Sequence, residues 1–233
     1  MGYASTSDIP YAIVQERTFI RRVYAWMTGG LVVTALIALA TAATPAIQKP
    51  IITNPALFFG LIIGELLLVG YLSFAIAKMS PFAAAVCFIM YSALNGLTLS
   101  IIFVAYTIGS IGTVFAITAG TFGAMTAYGY VTKRDLTSIG SLCGMALFGL
   151  ILAMIVNMIF VRSGGFDLII SIVGVLVFVG LTAYDSQKIK QIHAKGQDGT
   201  DADKKLAVMG ALRLYLDFIN MFLFMLRLMG RRR

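Results

Sequence analysis

Charged residues are scarce in this chain of 233 residues. Asp, Glu, Lys and Arg together make up 12% of it, whereas a soluble domain carries about 25%. Apolar residue types make up 59%. A soluble fold with so few charges would not cover its surface, and a chain this apolar does not have the composition of a disordered one. The composition therefore predicts an integral membrane protein and excludes a soluble domain, a disordered chain and a collagen-like repeat.

Cysteine is equally rare. The two cysteines, Cys87 and Cys143, lie inside apolar runs and lack the CxxC spacing of metal and redox sites. Two such residues do not make a disulfide-stapled secreted scaffold. We expect them to be small side chains that face lipid or a neighbouring helix.

The net charge of +8 at first suggests a nucleic-acid partner. The basic residues, however, sit between the apolar runs or at their ends, where they determine membrane topology. Loops this short offer no groove or stacking platform for a nucleic acid. We therefore expect no nucleic-acid partner.

Seven apolar runs, each of about 20 residues, have the length of a membrane-crossing helix. They cover residues 23–43, 55–77, 82–104, 109–131, 139–161, 166–185 and 206–228. The runs do not alternate polar and apolar residues as barrel strands do, and only the connection at 186–205 is longer than a short loop. The predicted fold is thus an all-α integral membrane bundle of seven transmembrane helices. It occupies residues 23–229, between a cytosolic N-terminal segment, residues 1–22, and a basic tail, residues 230–233.

Closely spaced glycines indicate where such helices pack tightly. The spacing singles out Gly120 and Gly123 in the fourth run, and Gly140, Gly144 and Gly149 in the fifth.

The distribution of Lys and Arg predicts the orientation in the membrane. One side receives eleven basic residues, and the loops of the other side receive two, Lys49 and Arg162. The eleven are Arg17, Arg21, Arg22, Lys78, Lys133, Arg134, Lys188, Lys190, Lys195, Lys204 and Lys205. This asymmetry predicts a cytosolic N-terminus. Seven full crossings would place Arg231–Arg233 on the opposite side, so the sequence leaves open whether the last helix crosses fully. The first run exceeds the apolar core of about 7–15 residues in a signal peptide, and we expect it to be retained.

Among the charged residues within or at the edge of the apolar runs, four stand out: Glu65, Asp185, Arg213 and Asp217. A charge in hydrocarbon costs at least about 2.5–3.5 kcal/mol, so such residues usually face a bundle interior or water and have a partner. They are the first candidates for a functional site.

Asp185 and Asp217 can form a pair. Because a single loop joins the last two runs, their helices can be antiparallel neighbours with the two aspartates at similar depth. Two carboxylates in contact tend to share one proton and titrate as a unit, so the pair can sense pH. Its doubly charged form would attract a divalent cation. Calcium takes about 6–8 oxygen ligands, so Asn220, backbone carbonyls or water would have to complete a weak site on the two aspartates.

A plainer arrangement remains open. Arg213 precedes Asp217 by four residues and shares its helix face, so these two can pair with each other. Asp185 would then cap the end of its helix near Lys188. Glu65 can likewise be a protonated or hydrogen-bonded packing residue.

The segments that contain these residues resemble the Bax inhibitor-1 (transmembrane BAX-inhibitor-motif) family, and the short loops are similar to those of its bacterial members. The matching segments are Asn95–Ser100, Thr132–Asp135, Gly180–Ile189 and Leu214–Asn220, continuing to Arg227. The resemblance implies a seven-helix fold with the last helix central, in the inner (plasma) membrane of a bacterium.

The resemblance also implies a function, a pH-sensitive calcium leak controlled by a di-aspartyl proton sensor. The two motif aspartates fall on Asp185 and Asp217. Some members have an arginine at the end of the second helix that engages the pair. This chain has Lys78 there, slightly displaced and without the bidentate fork of arginine. Glu65 matches an acidic position of the family and would line the ion path. The implied partners are the lipid bilayer, calcium ions and protons, with no cofactor beyond the transported or weakly bound calcium.

Two other functions are open to such a protein. Some bacterial relatives resemble regulators of a membrane-anchored AAA protease, a role that needs only cytosolic contacts and no transport. Intramembrane aspartyl proteolysis is the enzymatic alternative, but those proteases carry an aspartate in a Gly-x-Gly-Asp motif, whereas Asp217 follows Leu-Tyr-Leu. The HExxH and GxSxG motifs of metal-dependent and serine hydrolases are also missing from the sequence. We expect no enzymatic activity.

Overall fold

The computed structural model describes the backbone of residues 8–193 and 200–233, and the side chains of residues 17–192 and 200–233. Parts of the predicted N-terminal segment, residues 1–22, and of the connection 186–205 lie outside these described residues.

Helices make up nearly all of the described chain. They are α1 (Asp8–Ala43), α2 (Pro45–Thr53), α3 (Pro55–Ala75), α4 (Pro81–Leu99), α5 (Ile102–Ala105), α6 (Ile108–Val131), α7 (Thr137–Val156), α8 (Gly164–His193) and α9 (Asp201–Met229). A 3-10 turn, Ile76–Lys78, extends α3, and a π-helical turn, Asn157–Val161, extends α7.

Within the described residues, seven helical stretches are long and apolar enough to cross a membrane. They are Arg17–Ala43, Pro55–Lys78, Pro81–Ala105, Ile108–Val131, Thr137–Val161, Gly164–Ile192 and Asp201–Met229. These stretches confirm the predicted all-α fold with seven transmembrane helices.

The connection predicted at 186–205 is wrong at both ends. Helix α8 continues to His193, and α9 already begins at Asp201. The sequence of this region looks polar, yet Gln187 and Ile189 are buried. The extension of α8 therefore has one face against the protein, which stabilises it as helix although its hydropathy is low.

The described helices fall into two compact units. Unit one contains Met1–Ser100 and Ile189–Leu212, and unit two contains Ile101–Lys188 and Arg213–Arg233. In unit one, α1 packs closely on α4. A Cβ at Gly30 would come within 2.6 Å of the Phe88 ring, and one at Gly96 within 2.8 Å of the Thr34 carbonyl oxygen. The Thr34 hydroxyl donates a hydrogen bond of 2.8 Å to the carbonyl oxygen of Ser92.

Unit two is also packed through glycines, but largely not those that the spacing predicted. A Cβ would have no described atom of another residue within 4 Å at four of the five predicted positions, Gly120, Gly123, Gly144 and Gly149. Only Gly140 behaves as expected, because a Cβ there would overlap the ring of Tyr184 on α8. The other close approaches are made by Gly129 against Ala183, Gly180 against Cys143 and Gly174 against Phe224. Spacing along the chain did not predict which glycines pack tightly, because it does not show which face of a helix meets another. Most of the closely spaced glycines face open space.

The last helix is the most buried of the seven. In its most apolar stretch 67% of residues are buried, compared with 6–44% in the other spans. This burial is the one expected of an interior helix and agrees with the prediction for α9.

Hydrogen bonds hold both ends of α9. Near its start, the Lys205 ammonium donates to the carbonyl oxygen of Ala77, in the last turn of the second span. Beyond its end, the Arg231 carbonyl accepts from Thr107 N, between the third and fourth spans, at 3.1 Å. Helix α9 itself, with 29 residues, is long and apolar enough to cross a membrane.

Gly129 provides a test of the packing in unit two. Gly129→Ala would drive a methyl group into the backbone of Ala183, which cannot rotate away, and we expect it to lower stability by about 1–3 kcal/mol. Thermal unfolding in detergent measures the loss. The matched control is Gly123→Ala on the same helix, whose new methyl group meets open space and which should be as stable as wild type or slightly more so. Equal unfolding temperatures for the two variants would contradict the close approach.

The start of α7 is organised by Asp135, which lies outside the spans. Its Oδ1 accepts from the Thr137 hydroxyl at 2.6 Å and from Thr137 N at 2.9 Å. Hydrogen bonds to the ionised form favour it, and the one from the Thr137 side chain is the main cause that lowers the pKa of Asp135 below its usual value. The ionised carboxylate thus supports this turn at neutral pH, and that support is lost as pH falls through the lowered pKa.

Thr137→Val tests this cap. The variant loses the hydroxyl donor but keeps the backbone donor, so we expect the pKa of Asp135 to rise toward its ordinary value. Carboxyl carbon NMR shifts of labelled aspartate in micelles, followed against pH, measure the change. Thr132→Val is the control, since the Thr132 hydroxyl accepts from Arg134 N, whereas the hydroxyl that donates to Asp135 is that of Thr137. An unchanged Asp135 titration in Thr137→Val would show that the hydroxyl is not what lowers the pKa.

Candidate functional site

The structure brings three of the predicted residues together in unit two: Asp185 on α8, and Arg213 and Asp217 on α9. Arg213 Nη1 lies 3.6 Å from Asp185 Oδ1. Asp185 is close enough to Asp217 for the two carboxylates to interact electrostatically. The ion pair of Arg213 is therefore formed with the aspartate of the neighbouring helix. In the alternative arrangement, Arg213 would have paired with Asp217 on its own helix.

Asp217 is the most enclosed member of this cluster. The residue is only 4% exposed, and its Oδ2 atom has no hydrogen-bond partner among the described residues. Its chain neighbour Phe218 packs edge-on against Phe115 and Phe122, with ring centroids 5.3 and 5.4 Å away. Because a buried acceptor without a partner costs about 1–3 kcal/mol, this oxygen is the place in the cluster where a proton or a cation would be stabilised most.

The neighbours of Asp185 along α8 hold it in position. Tyr184 packs its ring on Gly140 of α7. Ser186 Oγ lies 3.4 Å from Thr126 Oγ1 of α6. Since the residues on both sides of Asp185 are tied to other helices, the carboxylate has little freedom to move without repacking unit two.

Gln187 is a residue of the site that sequence reasoning missed. Its Oε1 accepts from Leu136 N at 2.9 Å, and its Nε2 donates to the Arg134 carbonyl oxygen at 2.8 Å. One amide side chain thus clamps the α6–α7 connection to α8, two residues from Asp185. The only signal in the sequence was a neutral polar residue in the segment Gly180–Ile189, which does not name its partners.

Glu65 belongs to a second polar cluster, in unit one. Its Oε1 accepts from the Thr98 hydroxyl at 2.7 Å, and its Oε2 accepts from Asn95 Nδ2 at 3.3 Å. Asn95 Oδ1 is buried and has no hydrogen-bond partner within the part of the chain that the structure describes. The acidic residue of the second span and the segment Asn95–Ser100 therefore form one site, which the sequence analysis had treated as two features.

Two further residues were predicted to support the site, Lys78 and Asn220. Lys78 is exposed in the 3-10 turn at the end of the second span. Asn220 donates from Nδ2 to the carbonyl oxygen of Leu216 on its own helix at 2.8 Å. Across the described ranges, no three Asp, Glu, His or Cys residues cluster as metal ligands. Two carboxylates beside a guanidinium suit a transient cation better than a tightly held one, because calcium takes about 6–8 oxygens.

Gln187→Met tests the clamp. The variant leaves the Leu136 amide and the Arg134 carbonyl unpaired, and we expect about 1–3 kcal/mol less stability in this connection. Hydrogen exchange at the Leu136 amide should accelerate accordingly. Gln191→Met, one turn further along α8 at an exposed position, is the control and should leave that amide unchanged. Unchanged exchange in Gln187→Met would mean that the clamp does not protect the connection.

Comparison with known proteins places this chain in a family. The family described as "Inhibitor of apoptosis-promoting Bax1" matches residues 16–233. The chain is 47% identical over 228 residues to "Inner membrane protein YbhL" of Escherichia coli K12, covering 95% of this chain and 97% of that protein. It is 46% identical over 221 residues to an uncharacterized protein of Borreliella burgdorferi, covering 95% of both chains. An uncharacterized protein of Deinococcus radiodurans is 41% identical over 218 residues, covering 94% of this chain and 92% of that one. With seven membrane-spanning helices and a match over nearly its whole length, the chain belongs to the Bax inhibitor-1 family of membrane proteins.

Proposed function

We propose that the protein is a pH-sensitive calcium leak of the bacterial inner membrane, oriented with its N-terminus in the cytosol. The proposal assigns proton sensing to Asp185 and Asp217. The observation that carries it is the enclosed Asp217 carboxylate, whose Oδ2 has no hydrogen-bond partner among the described residues and which interacts with the Asp185–Arg213 ion pair.

The charges of the cluster explain how a proton would act. Two carboxylates and one guanidinium carry one net negative charge when both acids are ionised, and none when they share a proton. Uncompensated charge in a low-dielectric interior is costly. Release of the proton therefore favours any rearrangement of α8 and α9 that brings water or a cation to Asp217, and uptake of the proton favours the closed packing.

Calcium enters this scheme as the transported ion. The deprotonated pair offers carboxylate oxygens, the hard ligands that calcium prefers, and water would supply the remaining ligands. Arg213 beside Asp185 limits how tightly a divalent cation is held, which suits an ion that must also leave the site. Glu65, with its oxygens bonded to Thr98 and Asn95, is a second carboxylate at which a passing cation would be stabilised.

The test is calcium flux into proteoliposomes that contain the purified protein. We expect wild type to leak calcium above empty liposomes, with a rate that changes about tenfold between roughly pH 6 and 8 as the pair titrates as a unit. Asp217→Asn and Asp185→Asn each remove one of the two titrating carboxylates, so the pH dependence should flatten or shift in both.

Asp201→Asn is the matched control for these variants. Asp201 lies on α9 like Asp217, but it is exposed and pairs with Lys204 at 3.1 Å, so its flux should keep the wild-type pH profile. A flux that is absent at every pH would refute the leak, and the regulator of a membrane-anchored AAA protease would become the leading function. A pH dependence that survives both aspartate substitutions would refute the sensor.

A further inference from the structure

A cavity of about 770 Å³ lies within unit one, bordered by three helices. Its walls come from the middle of α1 and from the first parts of α4 and α9. None of the residues discussed for proton sensing or ion passage borders it. The cavity therefore needs a separate explanation.

The long wall of the cavity is apolar and open to the surroundings of the helices. It follows α4 from Pro81 to Met90, which corresponds to about 13 Å along the axis at ~1.5 Å per residue. Phe82 is 79% exposed and Met90 53%, although both lie in a membrane-spanning stretch. In a bilayer, an apolar groove within a membrane-spanning stretch is in contact with hydrocarbon, so an apolar chain is the ligand that suits it.

One end of the groove carries positive charge. Arg22 of α1 and Lys204 of α9 both border it, next to the first residues of α4. The N-terminus of a helix adds a partial positive charge of its own. Trp26, one turn along α1 from Arg22, also borders the groove, and tryptophan is enriched where hydrocarbon meets the headgroup region.

Each of the two cations contacts an acidic neighbour and still has N–H donors available to a ligand. Arg22 Nη1 contacts the buried Asp203 at 3.4 Å, while the Arg22 side chain is 45% exposed. A guanidinium has five N–H donors, more than the contact with Asp203 can occupy, which leaves donors for a ligand. Lys204 pairs with Asp201, but both side chains are exposed, and such pairs contribute little.

We propose that this groove binds one anionic glycerophospholipid. An acyl chain lies along α4 between Pro81 and Met90, and the phosphate is held by Arg22 and Lys204. The combination of an apolar wall open to the bilayer with two cations at one end matches an amphipathic anion. A soluble phosphate has no apolar part to fill the groove. A zwitterionic lipid would bring its own positive charge next to Arg22 and Lys204, which would weaken its binding. The proposal does not depend on the calcium leak.

The experiment is native mass spectrometry of the intact protein in detergent, titrated with phosphatidylglycerol or phosphatidylcholine of identical acyl chains. We expect one phosphatidylglycerol to be retained at least tenfold more tightly than phosphatidylcholine, since each basic residue near a membrane surface contributes appreciably to binding an anionic headgroup. The double variant Arg22→Gln and Lys204→Gln should lose this preference, and Lys204→Gln alone, which keeps the Arg22–Asp203 contact, should lose part of it. The control Lys133→Gln with Arg134→Gln removes the same charge from an exposed connection of unit two and should behave as wild type.

The acyl part of the proposal is tested by filling the groove. Ala85→Phe and Val86→Trp both place a larger apolar side chain on its wall without changing any charge. Either variant should weaken phosphatidylglycerol retention severalfold. Size-exclusion chromatography shows whether each variant is folded, and with two separate variants the test still stands if one of them misfolds. Equal retention of the two lipids by wild type would overturn the proposal. So would undiminished phosphatidylglycerol retention in a folded filling variant or in the double charge variant, or displacement of the lipid by inorganic phosphate.

Discussion

The hydrocarbon core of a bilayer contains no water to pair with a peptide group or with a charged side chain, so each must find its partner inside the protein. The seven helices meet this requirement for the backbone. Among side chains, Glu65 meets it through Thr98 and Asn95, and Asp185 through Arg213. Asp217 meets it only in part, because one of its oxygens is buried without a hydrogen-bond partner among the described residues. A proton or cation would therefore stabilise this oxygen more than any other atom of the cluster, and the proposed function depends on it.

Glycine determines how closely the helices of each unit approach. At Gly129 the neighbour is backbone, and at Gly140 it is the ring of the residue that precedes Asp185. Packing by contact with small residues is effective in membranes because the hydrophobic effect does not drive apolar helices together there. The aspartate of α8 is consequently positioned by the same contacts that assemble unit two, and the clamp formed by Gln187 adds polar contacts to a connection outside the apolar spans.

The two kinds of charged site in the chain differ in what surrounds them. In the cluster of unit two, the charges face one another across α8 and α9, and a change of protonation acts on the packing between those helices. At the groove of unit one, Arg22 and Lys204 are exposed beside an apolar wall, and a charged ligand can reach them without repacking the protein. The first arrangement suits a switch and the second suits a binding site for a component of the membrane itself.

The sequence by itself determined the seven spans, the family resemblance and the identity of the membrane aspartates, because hydropathy and motif are properties of short consecutive segments. It was wrong about the connection at 186–205 and about most of the tightly packed glycines, since both depend on which face of a helix meets another. Only the tertiary structure decided that Arg213 pairs with Asp185 and that Glu65 bonds to the segment Asn95–Ser100. It also revealed the clamp of Gln187. These features are distances between residues on different helices, which spacing within one segment does not determine.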